Sequence, residues 1–475
     1  MSNPDLRRLP AVHAVLGWPG LAETLARRGP GATARAVRSA VEEARRSLAS
    51  GRAPAIDVPS IARRAVAILA AGRPTLRPVL NATGILLNTG LGRAPLAAEA
   101  AEAVDRVVRG YCNLEFDLET GGRGSRTDGV EVLLRDLTGA EAVAVVNNNA
   151  AATVLAVKAL AGGREVIVSR GQLVEIGGSF RLPEIIEASG ARLREVGTTN
   201  RTRLADYERA IGPETAAILR VHPSNYRVVG FTESVPIAGL AALGQSRDLW
   251  TIDDIGSGML APGMPPGIVD EPTASEGLAA GADVVLFSGD KLLGGPQCGI
   301  LLGSSEAIGT IRRDPLIRAL RVDKMTLGAL EATLRLATEP GRAAAEIPLW
   351  SFLCTPSTRL MERAERLAAR FRAELGLSAS AIESVAYLGG GSAPGEPISS
   401  AAVRVAPPFP APHASEGSWA RALRTGESPV VARVRGGSVL FDLRAIAEGS
   451  DEALALAVGR AVGSDGGSRG VIPPS

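Results

Sequence analysis

Lysine is almost missing from this chain. Only Lys158, Lys291 and Lys324 occur, and the other 49 of its 52 basic residues are arginine. There is no Gly-Lys pair, which removes the P-loop nucleotidases, whose phosphate-binding turn needs one. Cysteine is as sparse. Cys112, Cys298 and Cys354 stand far apart with no CxxC spacing, so neither a zinc ribbon nor a disulfide scaffold is expected. The three histidines, His13, His222 and His413, would all be needed for a multi-histidine metal site, and no metal is expected. No apolar run approaches the ~18 residues of a membrane span. Pro10, His13, Trp18 and Pro19 break up the first twenty residues, leaving no signal-peptide core. A cytoplasmic protein with no membrane partner is expected.

The remaining composition is that of a globular protein: 45% of residues are apolar and 21% charged, enough for a sizeable core. At about 150 residues per domain, the length suggests roughly three domains. The net charge of +2 is unevenly spread. Residues 1–75 carry twelve arginines against Asp5, Glu23, Glu42, Glu43 and Asp57, a local excess of +7. Such a segment either meets a polyanion or is a solvated helical face in an arginine-rich protein.

Hydropathy periodicity divides the chain. Residues 4–71 read as short helices: Leu6–Leu16, Leu21–Arg28, Thr33–Leu48 and one opened by Pro59-Ser60 that runs to Leu69. Residues 1–72 therefore form a basic helical module, followed by a linker over 73–87. From about residue 88 to 340, apolar runs alternate with amphipathic helices. The runs are Ala142–Val146, Glu165–Val168, Ala216–Val221, Leu249–Ile252 and Ala282–Phe287. The helical patterns include Ala151–Leu160, Ile237–Leu243 and Leu327–Ala337. This alternation predicts an α/β domain with a mostly parallel sheet covered on both faces. Residues 341–475 form a smaller α+β domain. It holds a helix over Pro356–Leu375 and a hairpin, Val430–Val434 and Ser438–Leu443, turning at Arg435-Gly436-Gly437. The Gly/Ser-rich tail from Gly463 is expected to fray.

Chemistry concentrates in three places. The first is Phe287-Ser288-Gly289-Asp290-Lys291-Leu292-Leu293-Gly294-Gly295, where a buried strand delivers one of the three lysines to the mouth of the sheet. Arginine cannot form an imine because guanidinium keeps its proton. A Schiff-base lysine for pyridoxal 5′-phosphate fits Lys291; a surface lysine after a strand is the plain alternative. Lys158 lies mid-helix and Lys324 in a charged stretch, and both fit less well. That cofactor needs a carboxylate to keep its ring nitrogen protonated. Leu249–Ile252 leads into Asp253-Asp254. Period-two alternation turns one of them to the cofactor, and Asp254 is favoured; a pair of loop-capping aspartates is the alternative. The cofactor phosphate needs backbone donors at a helix N-terminus. Ala142–Val146 runs into Asn147-Asn148-Asn149-Ala150 and then a helix, which assigns Asn148, Asn149 and Ala150 to the phosphate, with Ser288 as an added hydroxyl. The phosphate cup, the aspartate and the lysine follow the chain order of a fold-type I pyridoxal-phosphate enzyme.

Arginines make the third element. Arg93 ends the turn Asn88-Thr89-Gly90-Leu91-Gly92, and Arg123 and Arg126 lie in Gly121-Gly122-Arg123-Gly124-Ser125-Arg126. Arg318 and Arg321 share one face if their segment is helical. Such groups suit a phosphate-like oxyanion or, equally, surface ion pairs.

Together these blocks resemble the bacterial selenocysteine synthases, the L-seryl-tRNA(Sec) selenium transferases. The likeness runs from Leu6-Arg7-Arg8-Leu9-Pro10 to the Val434–Leu443 hairpin. It is most specific at Asn81-Ala82-Thr83-Gly84, Asn88–Pro95, Tyr111–Arg126, Arg170–Phe180, His222-Pro223-Ser224-Asn225-Tyr226, Asp254–Gly258, Ser288–Gly295 and Arg321–Met325. The resemblance implies an aspartate-aminotransferase-like fold with an N-terminal tRNA-binding module. It implies that Lys291 carries pyridoxal 5′-phosphate and removes the Cα proton of serine esterified to tRNA(Sec). Loss of the β-hydroxyl and addition of selenium from selenophosphate would then give selenocysteinyl-tRNA(Sec). Asp290 matches a residue that assists elimination. Arg93, Arg318 and Arg321 match selenophosphate ligands, and Arg123 or Arg126 would reach in from a neighbouring subunit of a homo-oligomer, dimers in a decameric ring. The rival reading is a lyase of the same fold acting on a small amino acid or amino sugar phosphate. A tRNA-binding protein with a dead fold is a third, disfavoured by the presence of Lys291, Asp254 and the asparagine cap.

Overall fold

The computed structural model describes residues 8–49, 55–70, 76–176 and 180–462. Leu6 and Arg7, residues 73–75 of the expected linker, Gly177–Ser179 and the tail from Gly463 lie outside the described residues. The chain divides into two compact units, residues 1–78 and 79–475.

The first unit is helical: Val12–Leu16, Ala22–Arg28, Pro30–Ala49 and Val58–Ala70. In the third helix Val37, Ala40, Val41, Ala44 and Leu48 recur on one stripe and are buried, and the first four pack with Val15, Leu21, Ile61 and Ala65. Asp57 caps the last helix by accepting from the Ser60 amide at 2.8 Å. With the stripe spent on the core, Arg28, Arg35, Arg38 and Arg46 remain exposed. None of these four makes an ion pair among the described residues.

The second unit holds two sheets. The larger has seven strands in the order Ala142–Val146, Gly299–Gly303, Val284–Ser288, Trp250–Gly256, Thr215–Val221, Glu165–Ser169 and Arg192–Val196. Gly299–Gly303 runs antiparallel to both neighbours; the other pairings are parallel. Both faces are covered, as the apolar runs require. Val143 and Val145 enter one core, while Ala142, Ala144 and Val146 enter the core on the other face. The five anticipated runs are all strands. Two strands lie outside those five runs, the apolar Gly299–Gly303 and Arg192–Val196; the second reads Arg-Leu-Arg-Glu-Val and lies at the sheet edge, where only Val196 is buried.

The smaller sheet orders Leu80–Ala82, Val430–Arg435, Ser438–Asp442, Pro397–Ala406 and Ser378–Tyr387. Helix Ser357–Leu375 lies on it, and Phe371, Trp419 and Phe441 fill its core. The expected hairpin is present, with Gly436 and Gly437 at φ 57° and 69°, the left-handed pair a tight two-residue turn needs. The expected linker over 73–87 needs correction. Leu80–Ala82 is a strand that pairs in parallel with Val430–Ala432, because its backbone groups complete an edge of the smaller sheet. Among the described residues no helix is long and apolar enough to cross a membrane.

Candidate active site

The strands of the larger sheet bring the site together. Val284–Ser288 is fully buried and ends in a turn that leaves Lys291 only 4% exposed. Its Nζ donates at 3.2 Å to the carbonyl of Gly391, in the loop between strands Ser378–Tyr387 and Pro397–Ala406. Burial pushes the ammonium well below its ordinary pKa; Asp254, Asp290 and Glu271 oppose this, while Arg93 adds to it. A buried lysine so perturbed is a nucleophile or base in waiting.

Asp253 and Asp254 fall on opposite faces of their strand, as alternation demands. Asp253 takes Arg220 Nη1 on both of its oxygens at 3.0 Å. Asp254 faces the lysine. It accepts from Asn149 Nδ2 at 2.9 Å, Thr153 Oγ1 at 3.1 Å and the Gly256 amide at 3.1 Å. Burial nevertheless lifts its carboxyl to about 6. The strand does not stop before this pair but continues to Gly256, since both carboxylates find partners inside the fold.

Helix Asn149–Ala161 starts beside this carboxylate. Asn148 caps it, accepting from the Ala151 amide at 2.9 Å. The amides of Asn149 and Ala150 have no acceptor among the described residues, so they remain available to an anion. The Asn149 side chain is committed to Asp254, which changes its expected part: its backbone, not its amide group, is left for a phosphate.

Arg93 sits at φ 61°, directly after Gly92 at φ 94°. This left-handed turn, closed by the Arg93 amide on the Asn88 carbonyl at 3.1 Å, aims the guanidinium at Asp290. Nη1 reaches Asp290 Oδ2 at 2.8 Å. Arg93, Asn148, Asn149, Ala150, Asp254, Ser288, Asp290 and Lys291 all line one cavity of about 300 Å³.

The other four arginines do not line it. Glu115 collects three of them: Arg123 at 2.9 Å, Arg126 through Nε at 3.0 Å, and Arg321 at 3.6 Å. Arg126 also donates to the Val322 carbonyl at 2.7 Å. The expected shared face of Arg318 and Arg321 is not formed. The helix covers Leu316–Leu320 only, and Arg321 leaves it extended to bridge Val146, because the chain must join the sheet edge there. Arg318 is exposed and makes no ion pair among the described residues.

Residues not assigned from the sequence also face the lysine. His222 and Ser224 line the same cavity. Glu271, buried in the loop before helix Ala274–Ala279, accepts from the Ala393 amide at 2.6 Å. Gly389, Gly390 and Gly391 all have positive φ, and a Cβ on Gly391 would stand 3.0 Å from Lys291 Nζ, so only glycine brings this backbone so close. The His222–Tyr226 motif marked the first two residues. The triple glycine was a usable signal for the loop, but nothing flagged Glu271.

The arrangement fits pyridoxal 5′-phosphate. It offers an amine that burial helps to deprotonate, a buried carboxylate for a ring nitrogen and unspent amides for a phosphate, all on one cavity.

Comparison with known proteins decides the family. The family described as L-seryl-tRNA selenium transferase matches residues 79–447, and that described as selenocysteine synthase N terminal matches residues 6–45. The chain belongs to the L-seryl-tRNA selenium transferase family. It is 51% identical to an L-seryl-tRNA(Sec) selenium transferase of Solidesulfovibrio magneticus over 80% of this chain and 81% of the relative. To those of Hyphomonas neptunium and Moorella thermoacetica it is 44% and 45% identical, over 94% and 96% of this chain and 96% and 97% of the relatives. A solved structure of D-glucosaminate-6-phosphate ammonia-lyase shares the fold with a TM-score of 0.56 at 21% identity, covering 82% of this chain and 96% of that one. The fold is that of the fold-type I pyridoxal-phosphate enzymes, and pyridoxal phosphate is the cofactor of this family member.

Proposed function

We propose that the protein converts seryl-tRNA(Sec) to selenocysteinyl-tRNA(Sec), with selenophosphate as the selenium donor. The observation that carries this reading is the buried Lys291 opposite Asp254 in a chain of this family. When bound, pyridoxal phosphate supplies an electron sink that makes the Cα–H of the serine acidic. Asp254 would hold a proton on the ring nitrogen, and the amides of Asn149 and Ala150, with Ser288, would take the phosphate. The Lys291 amine removes the Cα proton. Asp290, beside it, assists the departure of the β-hydroxyl, which leaves as water with the proton that Lys291 has taken. Arg93 holds Asp290 in place and presents positive charge to selenophosphate. Selenium then adds at Cβ while the proton carried by the selenium donor passes to Cα through Lys291, and the water lost from serine balances the one that takes phosphate off selenium. An aminoacyl ester has no free carboxylate, so arginine is not needed there and Arg93 is available to the donor. Arg123, Arg126, Arg318 and Arg321 lie outside their own chain's cavity, and in our reading they serve a neighbouring subunit of a homo-oligomer.

The test is mass spectrometry of the RNA-linked product after incubation with seryl-tRNA(Sec) and selenophosphate. A product heavier by the exchange of oxygen for selenium is expected. Turnover of small amino acids or amino sugar phosphates, but not of the charged RNA, would favour the lyase reading instead.

The helical module is assigned to tRNA. Its exposed arginines face solvent on helices whose apolar stripes are already buried, and the local charge is that of a phosphate-binding surface. Deleting residues 1–70 should weaken tRNA binding by about tenfold or more and flatten its salt dependence, since each lost phosphate contact removes about 0.7–0.9 from the slope. Cofactor binding should persist, because the module has its own core. Filter binding across a salt series reads this, and unchanged affinity and slope would refute it.

A further inference from the structure

We infer that Glu271 and His222 receive the terminal ribose of the acylated RNA; this rests on the seryl-tRNA reading above. A second cavity, of about 430 Å³, adjoins the lysine cavity, and Val221 and His222 line both. Glu271 enters it with a side chain only 2% exposed. One oxygen, Oε1, is satisfied by the Ala393 amide at 2.6 Å. The other, Oε2, is buried without a partner among the described residues, and so is His222 Nε2. The imidazole nitrogen stands 3.5 Å from Glu271 Oε1.

A buried carboxylate oxygen can only accept, and leaving it unpaired is costly. The cavity therefore calls for a ligand that donates. The substrate carries such a group at a fixed distance from the reacting carbon. Serine is esterified to one of two vicinal hydroxyls of the terminal ribose, and the other stays free on the adjacent carbon. With Cα at Lys291, that free hydroxyl lies only a few bonds away, in whichever cavity adjoins the site. A third cavity, of about 310 Å³, also touches it through Arg93 and Ser224. Its unpartnered buried groups among the described residues are the Ser392 hydroxyl, which can donate or accept, and Arg93 Nε, which can only donate, so neither demands a donor. A carboxylate taking a ribose hydroxyl is a recurrent way of recognising nucleotides. Arg201, exposed on the rim of the same cavity, carries the charge for the phosphodiester that follows.

The test compares two charged RNAs with the holoenzyme: seryl-tRNA(Sec) ending in adenosine and the same RNA ending in 2′-deoxyadenosine, acylated at its 3′-hydroxyl. Wild type should favour the ribose form by about tenfold or more in kcat/KM, the usual effect of losing a hydrogen bond to a charged group. Glu271→Gln keeps an oxygen for the Ala393 amide but removes the charged acceptor. In this variant the preference for the ribose form should fall to about twofold, whatever the change in absolute rate that both substrates share. A purely structural Glu271 would slow both substrates alike and keep the ratio, which overturns the inference. Equal turnover of both RNAs by wild type overturns it too, and leaves the seryl-tRNA reading standing. Turnover of neither removes that reading and this inference together.

Discussion

Lys291→Ala should lose selenium transfer by at least about 10³-fold, the scale expected when a residue that is both attachment point and base is removed. Two roles meet on one nitrogen. Covalent attachment needs a free amine, and so does removal of the Cα proton. Burial favours the free amine, since desolvation at the end of Val284–Ser288 holds the ammonium below its ordinary pKa. Lys291→Arg should fail as completely as alanine, because guanidinium keeps its proton at any working pH. Lys158 and Lys324 cannot substitute. Lys158 is bound to Asp314 at 2.7 Å, and Lys324 donates to the Gly110 carbonyl at 2.7 Å. The readouts are turnover and the absorbance near about 420 nm of covalently attached pyridoxal phosphate, which should vanish in both variants. Borohydride reduction followed by peptide mapping should place the cofactor on Lys291. A tag on another lysine, or retained turnover in Lys291→Arg, would bring down the assignment.

How far this site could be read in advance depended on how local its signals were. The lysine turn and the aspartate strand were legible because each is a short buried strand ending in polar residues, and alternation alone separates Asp253 from Asp254. The asparagine cap was legible as an anion site, but not the commitment of its side chain to Asp254, which lies 105 residues away. The arginines were the least legible. Arg93 needed a left-handed turn to reach Asp290, whereas Arg123, Arg126 and Arg321 converge on Glu115, a residue with no distinguishing context. Glu271 lies between Asp270 and Pro272 and reads like any exposed loop acid; only the fold buries it. In the fold itself the apolar strands were plain, but the edge strand Arg192–Val196 was hidden because an edge does not require an apolar sequence.

Asp254→Asn should lower turnover by about 10²–10³-fold, comparable to removing one preorganised charge from an active site. The neutral amide cannot keep the cofactor nitrogen protonated, so the electron sink weakens although the cavity keeps its shape. The pH dependence of the cofactor-free protein checks the same carboxylate without turnover. Burial raises its pKa from 3.8 to about 6 in the fold, so between these values the folded chain binds more protons than the unfolded one. Stability from this group is then fully present below pH about 4 and is lost as pH rises through about 6. Melting temperatures of the cofactor-free wild type should therefore fall from pH 4 to pH 7 more steeply than those of Asp254→Asn. Loading the cofactor should reverse the preference, because a protonated ring nitrogen stabilises the carboxylate and draws its pKa down. If the two cofactor-free proteins melt with the same pH profile, or the asparagine variant turns over within a few-fold of wild type, Asp254 does not face the ring nitrogen.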